Sequence, residues 1–309
     1  MTSAAPAQPA SADGRDRLAR FLIEAAGVRG VHVHLDETWR QIRERAEYPA
    51  AAAELLGEAA AAAALFTGHA KVEGRLSVQL RGEGALRALF AECTAAGTLR
   101  GIVQLAEDAG EISRDLRELG EQAVLAITIE NPSAGGRDPI RYQGLVALES
   151  DSLAGAFEGY FRQSEQLPTR LLLAADGDRA AGLMLQKLPG DGGDEDGWTR
   201  VGALFDTLSD AELLELPADD LLHRLFHEDG VQLLGGKPLA FACSCSRERV
   251  EAMLVSLGRE EAEAAVEAAD GVAQVRCEFC GQTYRFDGDQ VAGLFAAAAA
   301  EMEAPQRVQ

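Results

Sequence analysis

The chain has 309 residues, of which 47% are apolar and 26% charged, and it carries a formal net charge of −21. At ~100–200 residues per domain, that length suggests about two domains. The negative balance argues against nucleic acid, whose affinity comes largely from Lys and Arg neutralising phosphates, and equally against anionic membrane surfaces. No stretch approaches the ~18 unbroken apolar residues of a membrane span. The opening "MTSAAPAQPASADG" has no cationic region followed by an apolar run, so residues 1–14 are expected to be a disordered tail rather than a secretory signal. A cytoplasmic location follows. Thiols are kept reduced there, and clustered cysteines become metal ligands or redox groups more often than structural disulfides.

In chain order, Leu18, Phe21 and Leu22 have helical spacing, so Asp16 to Ala26 is expected as a helix ended by Gly27. "VRGVHVHL" alternates as a half-buried strand does. Asp36 is expected to cap a helix running through Tyr48, where Pro49 stops it. Residues 50–66 are alanine-rich and predicted helical. "EGRLSVQL", "ALRALFAECT", "GTLRGIVQL", "EQAVLAITIE" and "IRYQGLVALE" follow as strands separated by Gly, Asn and Pro turn signals, with "GEG" at 82–84 as a turn. Strands this close together favour antiparallel pairing. Residues 151–166 return to helix, and "TRLLLA" and "AAGLMLQKL" are two further strands.

The composition changes at "PGDGGDEDG", Pro189 to Gly197, an expected domain boundary. Short helices come next. Ser209 and Glu212 fit a capping box, with Leu208 and Leu213 as its hydrophobic staple. Pro217 starts a helix carrying Leu221, Leu222, Leu225 and Phe226, and "GGKP" at 235–238 punctuates its end. The expected architecture is α+β: a mainly antiparallel-sheet core at 15–188, an acidic helical linker at 189–236, a small zinc-binding domain at 237–295 and an alanine-rich tail at 296–309.

Four of the five cysteines lie in the last of these domains as two tight pairs, C-x-C at Cys243 and Cys245 and C-x-x-C at Cys277 and Cys280. Four thiolates suit one tetrahedral zinc ion, and Gly281 permits the tight turn behind the second pair. A plain structural ribbon fits the same spacing. Residues 243–290 carry ten acids and five arginines, which argues against a ribbon that grips nucleic acid. Cys93 stands alone in a predicted strand and reads as a small buried hydrophobe. His32 with His34, and His223 with His227 one helical turn apart, are each able to ligate a metal. Neither pair has an adjacent third ligand, and "HRLFH" lacks the glutamate of H-E-x-x-H. No Ser/His/Asp set or carboxylate pair stands out, so the residues by themselves leave the catalytic evidence blank. The alternative is a zinc-containing thiol-disulfide oxidoreductase, but a redox C-x-x-C normally opens a helix near a βαβ pattern.

"CSCSRERVEAML…CEFCGQTYRF" resembles the C-terminal zinc module of the redox-regulated heat-shock holdases, the bacterial thirty-three-kilodalton chaperonin family. "RYQGLVALESDSLAGAFEGYFRQSEQLPTR" at 141–170, "RGIVQL" and "LLHRLFHEDGVQLL" are similar to other parts of that family, so the resemblance spans residues 15–295. It implies an ATP-independent chaperone, not an enzyme, that is inactive when reduced and bound to one zinc ion. Under oxidative stress, disulfides Cys243–Cys245 and Cys277–Cys280 would form, zinc would leave and the module would unfold. The linker would then loosen, and a homodimer would bind unfolding client proteins. Leu213, Leu214, Leu221, Leu225 and Phe226 are the expected client-binding residues, because apolar linker side chains need a partner surface whose loss exposes them. The energetics agree. A structural zinc contributes roughly 10–16 kcal/mol in peptide systems. Each tight disulfide would contribute only roughly 1.5–2 kcal/mol by loop-closure entropy.

Overall fold

The computed structural model describes residues 15–133, 138–190 and 193–303. The N-terminal tail expected at 1–14, and residues 304–309 of the C-terminal one, lie outside the described residues. The chain forms two compact units, Met1–Ala242 and Cys243–Gln309.

The first unit is built on two sheets. One contains β1 (Arg17–Ile23), β2 (Val28–Leu35), β8 (Thr169–Ala175), β9 (Ala180–Lys187) and β10 (Val231–Pro238), in the order β10-β1-β2-β9-β8. The other contains β3 (Arg75–Arg81), β4 (Leu86–Thr94), β5 (Thr98–Leu105), β6 (Val124–Asn131), β7 (Ile140–Val146) and β11 (Ala240–Phe241), in the order β11-β5-β4-β3-β6-β7. Neighbouring strands pair antiparallel throughout, except β11, which runs parallel to β5. The α+β class and the antiparallel pairing expected from strand spacing are both present.

Between the sheets lies α2 (Ala50–His69), which packs on strands of both. Alanine lets the two backbones approach closely. At Gly57 even one added carbon would sit 2.5 Å from the Ala175 methyl. By length and composition this helix is apolar enough to cross a membrane, although acidic Glu54 and Glu58 interrupt its apolar run. Here 83% of its apolar window is buried inside the protein, making it the core helix of the unit.

Asp16 to Ala26 is not a helix. Its residues form β1, paired with β2 on one side and β10 on the other. Leu18 packs into the core around α2, while Phe21 and Ile23 point to the opposite face and are covered there too. A strand buried on both faces loses polar alternation, and its apolar residues then fall by chance at helical spacing. The helix expected to run from Asp36 through Tyr48 is α1 (Glu37–Arg43), followed by a turn. Asp36 does not cap it. The Asp16 carboxylate accepts from the amides of Asp36, Glu37 and Thr38 at 2.9, 3.1 and 3.0 Å, so a residue preceding β1 satisfies the helix N-terminus. The helix expected at 151–166 is α3 (Leu153–Tyr160), continued by a π-helical turn at Phe161–Glu165. Gln166 then adopts a left-handed φ of 55° before Pro168.

The segment expected as a linker, 189–236, lies within the first unit in its described part. It contains α4 (Gly197–Phe205), α5 (Asp210–Glu215), α6 (Ala218–Phe226) and most of β10. "GGKP" continues β10, with a register shift opposite Arg20 and Phe21, rather than ending a helix. The capping box on α5 forms with both hydrogen bonds, Glu212 amide to Ser209 Oγ at 3.3 Å and Ser209 amide to Glu212 at 3.2 Å. The boundary between the units therefore falls at Ala242 and Cys243, rather than between 236 and 237, because β10 and β11 are hydrogen-bonded into the two sheets.

The second unit contains α7 (Arg247–Leu257), α8 (Arg259–Ala268), the hairpin β12 (Val272–Arg276) and β13 (Thr283–Asp287), and α9 (Gly288–Glu303). The expected alanine-rich tail thus begins inside α9. The apolar cluster of this unit is small. Val250, Leu254, Ala262, Val266, Ala273, Phe286 and Val291 are its buried members among the described residues.

Candidate metal centre

Two local structures present the four cysteines. Cys243 and Cys245 immediately precede α7, whose N-cap Ser246 accepts from the Arg249 amide at 3.3 Å. The Arg249 guanidinium donates back to the Ser244 carbonyl and hydroxyl, each at 2.8 Å, and so orders the C-x-C segment. Cys277 and Cys280 occupy the turn of the β12–β13 hairpin. The Cys277 amide donates to Gln282 O and the Gly281 amide to Cys277 O, both at 2.8 Å. Gly281 has φ +73°, the left-handed conformation that glycine adopts without strain.

These elements bring together sulfurs that are 31 intervening residues apart in sequence. Cys243 Sγ lies 3.7 Å from Cys277 Sγ, and Cys245 Sγ lies 3.3 Å from Cys280 Sγ. All four sulfurs are within 4.8 Å of one another. A tetrahedron with Zn–S bonds of ~2.3 Å needs sulfurs about 3.8 Å apart, so the donor set and spacing are compatible with zinc. The Tyr284 hydroxyl, from β13, donates to Cys245 Sγ at 3.2 Å. Sequence reasoning missed this contact, although Tyr284 is four residues past Cys280 on the strand that leaves the turn.

The thiols are not equivalent. Burial, followed by hydrogen bonding within the cluster, raises those of Cys243 and Cys280. Burial also acts to raise Cys245, but hydrogen bonds to its sulfur from Tyr284 and the other thiols outweigh it and hold Cys245 below the usual value. The donors facing Cys245 thus favour its thiolate over those of Cys243 and Cys280.

The five expected client-binding residues lie elsewhere, on the face of the first sheet turned away from α2. Leu213, Leu214, Leu221, Leu225 and Phe226 are all buried there among Phe21, Ile23, Val28, Leu183 and Leu185. The Phe226 ring stacks on Phe21 with centroids 6.4 Å apart. The sheet residues of this cluster were not singled out from sequence. The signal was available in β9, "AAGLMLQK", which is apolar on both faces.

The remaining candidates divide clearly. Cys93 is fully buried in β4, and burial pushes its thiol up to about 11, as suits a packing residue. His32 is buried, and loss of solvation, followed by the proximity of His34, lowers it to about 3. His34 faces carbonyls with both ring nitrogens, Arg15 O at 3.1 Å and Leu214 O at 2.8 Å, so neither is available to a metal. His223 and His227 are exposed on and just after α6, with ring centroids 5.2 Å apart.

Three comparisons agree. The family described as "Hsp33 protein" matches residues 16–287. The "33 kDa chaperonin" of Ectopseudomonas mendocina is 44% identical over 293 residues, covering 93% of this chain and 98% of that protein. The "33 kDa chaperonin" of Nitrosococcus oceani is 42% identical over 283 residues, covering 92% and 95%. Among solved structures, the crystal structure of the 33 kDa chaperonin (heat shock protein 33 homolog) of Thermotoga maritima superposes with a TM-score of 0.75, covering 93% of this chain and 99% of that one at 23% identity. With its matched core, its two cysteine pairs and the gathered sulfurs, this chain belongs to the Hsp33 family of 33 kDa chaperonins.

Proposed function

We propose that the protein is a redox-regulated, ATP-independent holdase, not an enzyme, acting in the cytoplasm on unfolding proteins. The observation that carries this reading is the meeting of two distant cysteine pairs within 4.8 Å, in a unit whose own apolar core is small. Zinc, when bound by Cys243, Cys245, Cys277 and Cys280, supplies a long-range tie between the start of α7 and the β12–β13 turn. Peroxide oxidises each pair. The two thiols lose two electrons and two protons, one S–S bond forms, and the peroxide O–O bond is reduced to water. Family resemblance gives the pairs as Cys243–Cys245 and Cys277–Cys280. The oxidised sulfurs no longer carry the charge that holds a cation, and the two local loops cannot replace the tie between the distant pairs.

The 189–236 segment serves as the releasable linker. Once loosened, it offers Leu213, Leu214, Leu221, Leu225 and Phe226 to clients. The face it leaves behind, with Phe21, Ile23, Val28, Leu183 and Leu185, becomes a second apolar surface. The active form is a homodimer. The charge of −21 keeps such a surface soluble and disfavours nucleic acid and membranes as partners.

The test is light scattering from a thermally unfolding client, with protein that is either reduced and zinc-loaded or peroxide-treated. Suppression only after oxidation, together with release of one zinc per chain, supports the proposal. Equal suppression in both states removes the switch. Stoichiometric zinc retained by the Cys277→Ser/Cys280→Ser double variant removes the metal site.

A further inference from the structure

Besides the cysteine cluster, a second set of metal-competent side chains lies on α6. We propose that His223 and His227, at the C-terminal end of α6, form a separate two-histidine site for a divalent cation that favours imidazole, of the zinc and nickel class. The two are spaced i, i+4 and so fall on one side of the helix, with Asp219 one turn before them. They line one pocket of about 380 Å³, whose other wall is apolar Leu222, Val231 and Leu233.

The two rings sit 5.2 Å apart between centroids, tilted by 46°. The His227 Nδ1–H donates to the His223 carbonyl at 3.0 Å. That bond commits Nδ1 as the donor and leaves the Nε2 lone pair for a ligand, the arrangement by which metal-bound histidines are usually oriented through a backbone carbonyl. Rotation of the His223 side chain brings its ring nitrogen to the same ion, and water completes the coordination. Local charge favours a cation. Asp219, Asp220 and Glu228 are exposed nearby, while Arg224, the cation on this helix, is engaged by Glu212 at 2.6 Å. Imidazole nitrogen suits nickel, copper and zinc.

Such a site binds α6 only while it is helical, since the i, i+4 spacing exists only in that conformation. Occupancy therefore holds closed the helix that carries Leu221, Leu222, Leu225 and Phe226. This consequence rests on the proposed release of the linker; the metal site itself does not.

The experiment uses the full, tag-free chain, reduced and already zinc-loaded at its cysteines, titrated with Ni²⁺ in a calorimeter. One Ni²⁺ per chain is expected. His223→Gln and His227→Gln are each expected to weaken binding at least tenfold, with unchanged circular dichroism because both side chains are exposed. Unaltered Ni²⁺ binding by the double variant overturns the site. A second arm follows protease cleavage within 218–226 after peroxide treatment. With Ni²⁺ at 100 times its Kd, mass action shifts the open fraction by about a hundredfold, and cleavage should slow accordingly in the wild type but not in the double variant. Ni²⁺ binding without slower cleavage refutes the hold on α6 and leaves the site. Absence of peroxide-dependent cleavage in nickel-free controls refutes the release step instead.

Discussion

Phe226→Ala is the sharpest test of how the linker is held. The ring is fully buried, stacks on Phe21 and belongs to the apolar cluster under α4, α5 and α6. Truncating a buried phenylalanine costs about 3–5 kcal/mol, the lost transfer energy plus the cavity left behind. At about 1.4 kcal/mol per tenfold, an interaction used only in the seated state would shift the seated-to-released ratio by roughly a hundred- to several-thousandfold. The cost falls on α6, because the α2-centred core on the other face of the sheet keeps all its members. Reduced, zinc-loaded Phe226→Ala should therefore be cleaved by protease within 197–226 without oxidant, and should suppress client aggregation while reduced. Zinc content should remain that of the wild type, since Phe226 is not a ligand and belongs to the other unit. Phe226 is itself a proposed client contact, so the protease pattern is the primary readout. A reduced variant that remains resistant across 197–226, despite measured loss of stability, would refute this account. Cooperative unfolding of the whole first unit would refute it too, because seating and core would then be one equilibrium.

Tyr284→Phe removes the hydroxyl donor to Cys245 and should weaken zinc about 10–100-fold, the usual effect of losing an outer-shell partner, as read by competition with a chelator. Glu58, buried on α2, is raised to about 7 by burial, against the opposing pull of Arg114, which is about half exposed and shared with Glu54. Burial prevails because the cation is solvated. The stabilising protonated form is fully present below the unfolded value of ~4.3, and its contribution is lost as pH rises through about 7. Glu58→Gln should therefore raise stability at pH 8 by up to about 3 kcal/mol, read as a higher denaturant midpoint, and have little effect at pH 4. Cys93→Ala should leave peroxide activation unchanged in the light-scattering assay, because its thiol is buried and pushed up to about 11. Activation lost with Cys93 would place a redox role outside the four-cysteine cluster.

The cysteine pairs were legible from sequence because a C-x-C or C-x-x-C spacing is local: within two or three residues it dictates which sulfurs can share one point. The strands of the second sheet were legible for a similar reason, since "RLSVQLR" and its successors alternate or end in strong turn signals. The capping box of α5 could be read residue by residue. Only the tertiary structure decided the rest. Leu18, Phe21 and Leu22 could not identify β1 as a strand, because both its faces are covered and nothing polar marks the period of two. Asp16 could not be seen as the cap of α1, because it reaches that helix across a strand pair. The apolar residues of α4 to α6 required a partner, but the sequence did not name the sheet face that Phe21, Ile23, Val28, Leu183 and Leu185 present to them. Local spacing governs which groups can act together within one turn or hairpin. Which surface buries an amphipathic face depends on contacts between segments up to about two hundred residues apart, and these exist only once the sheets have closed around α2.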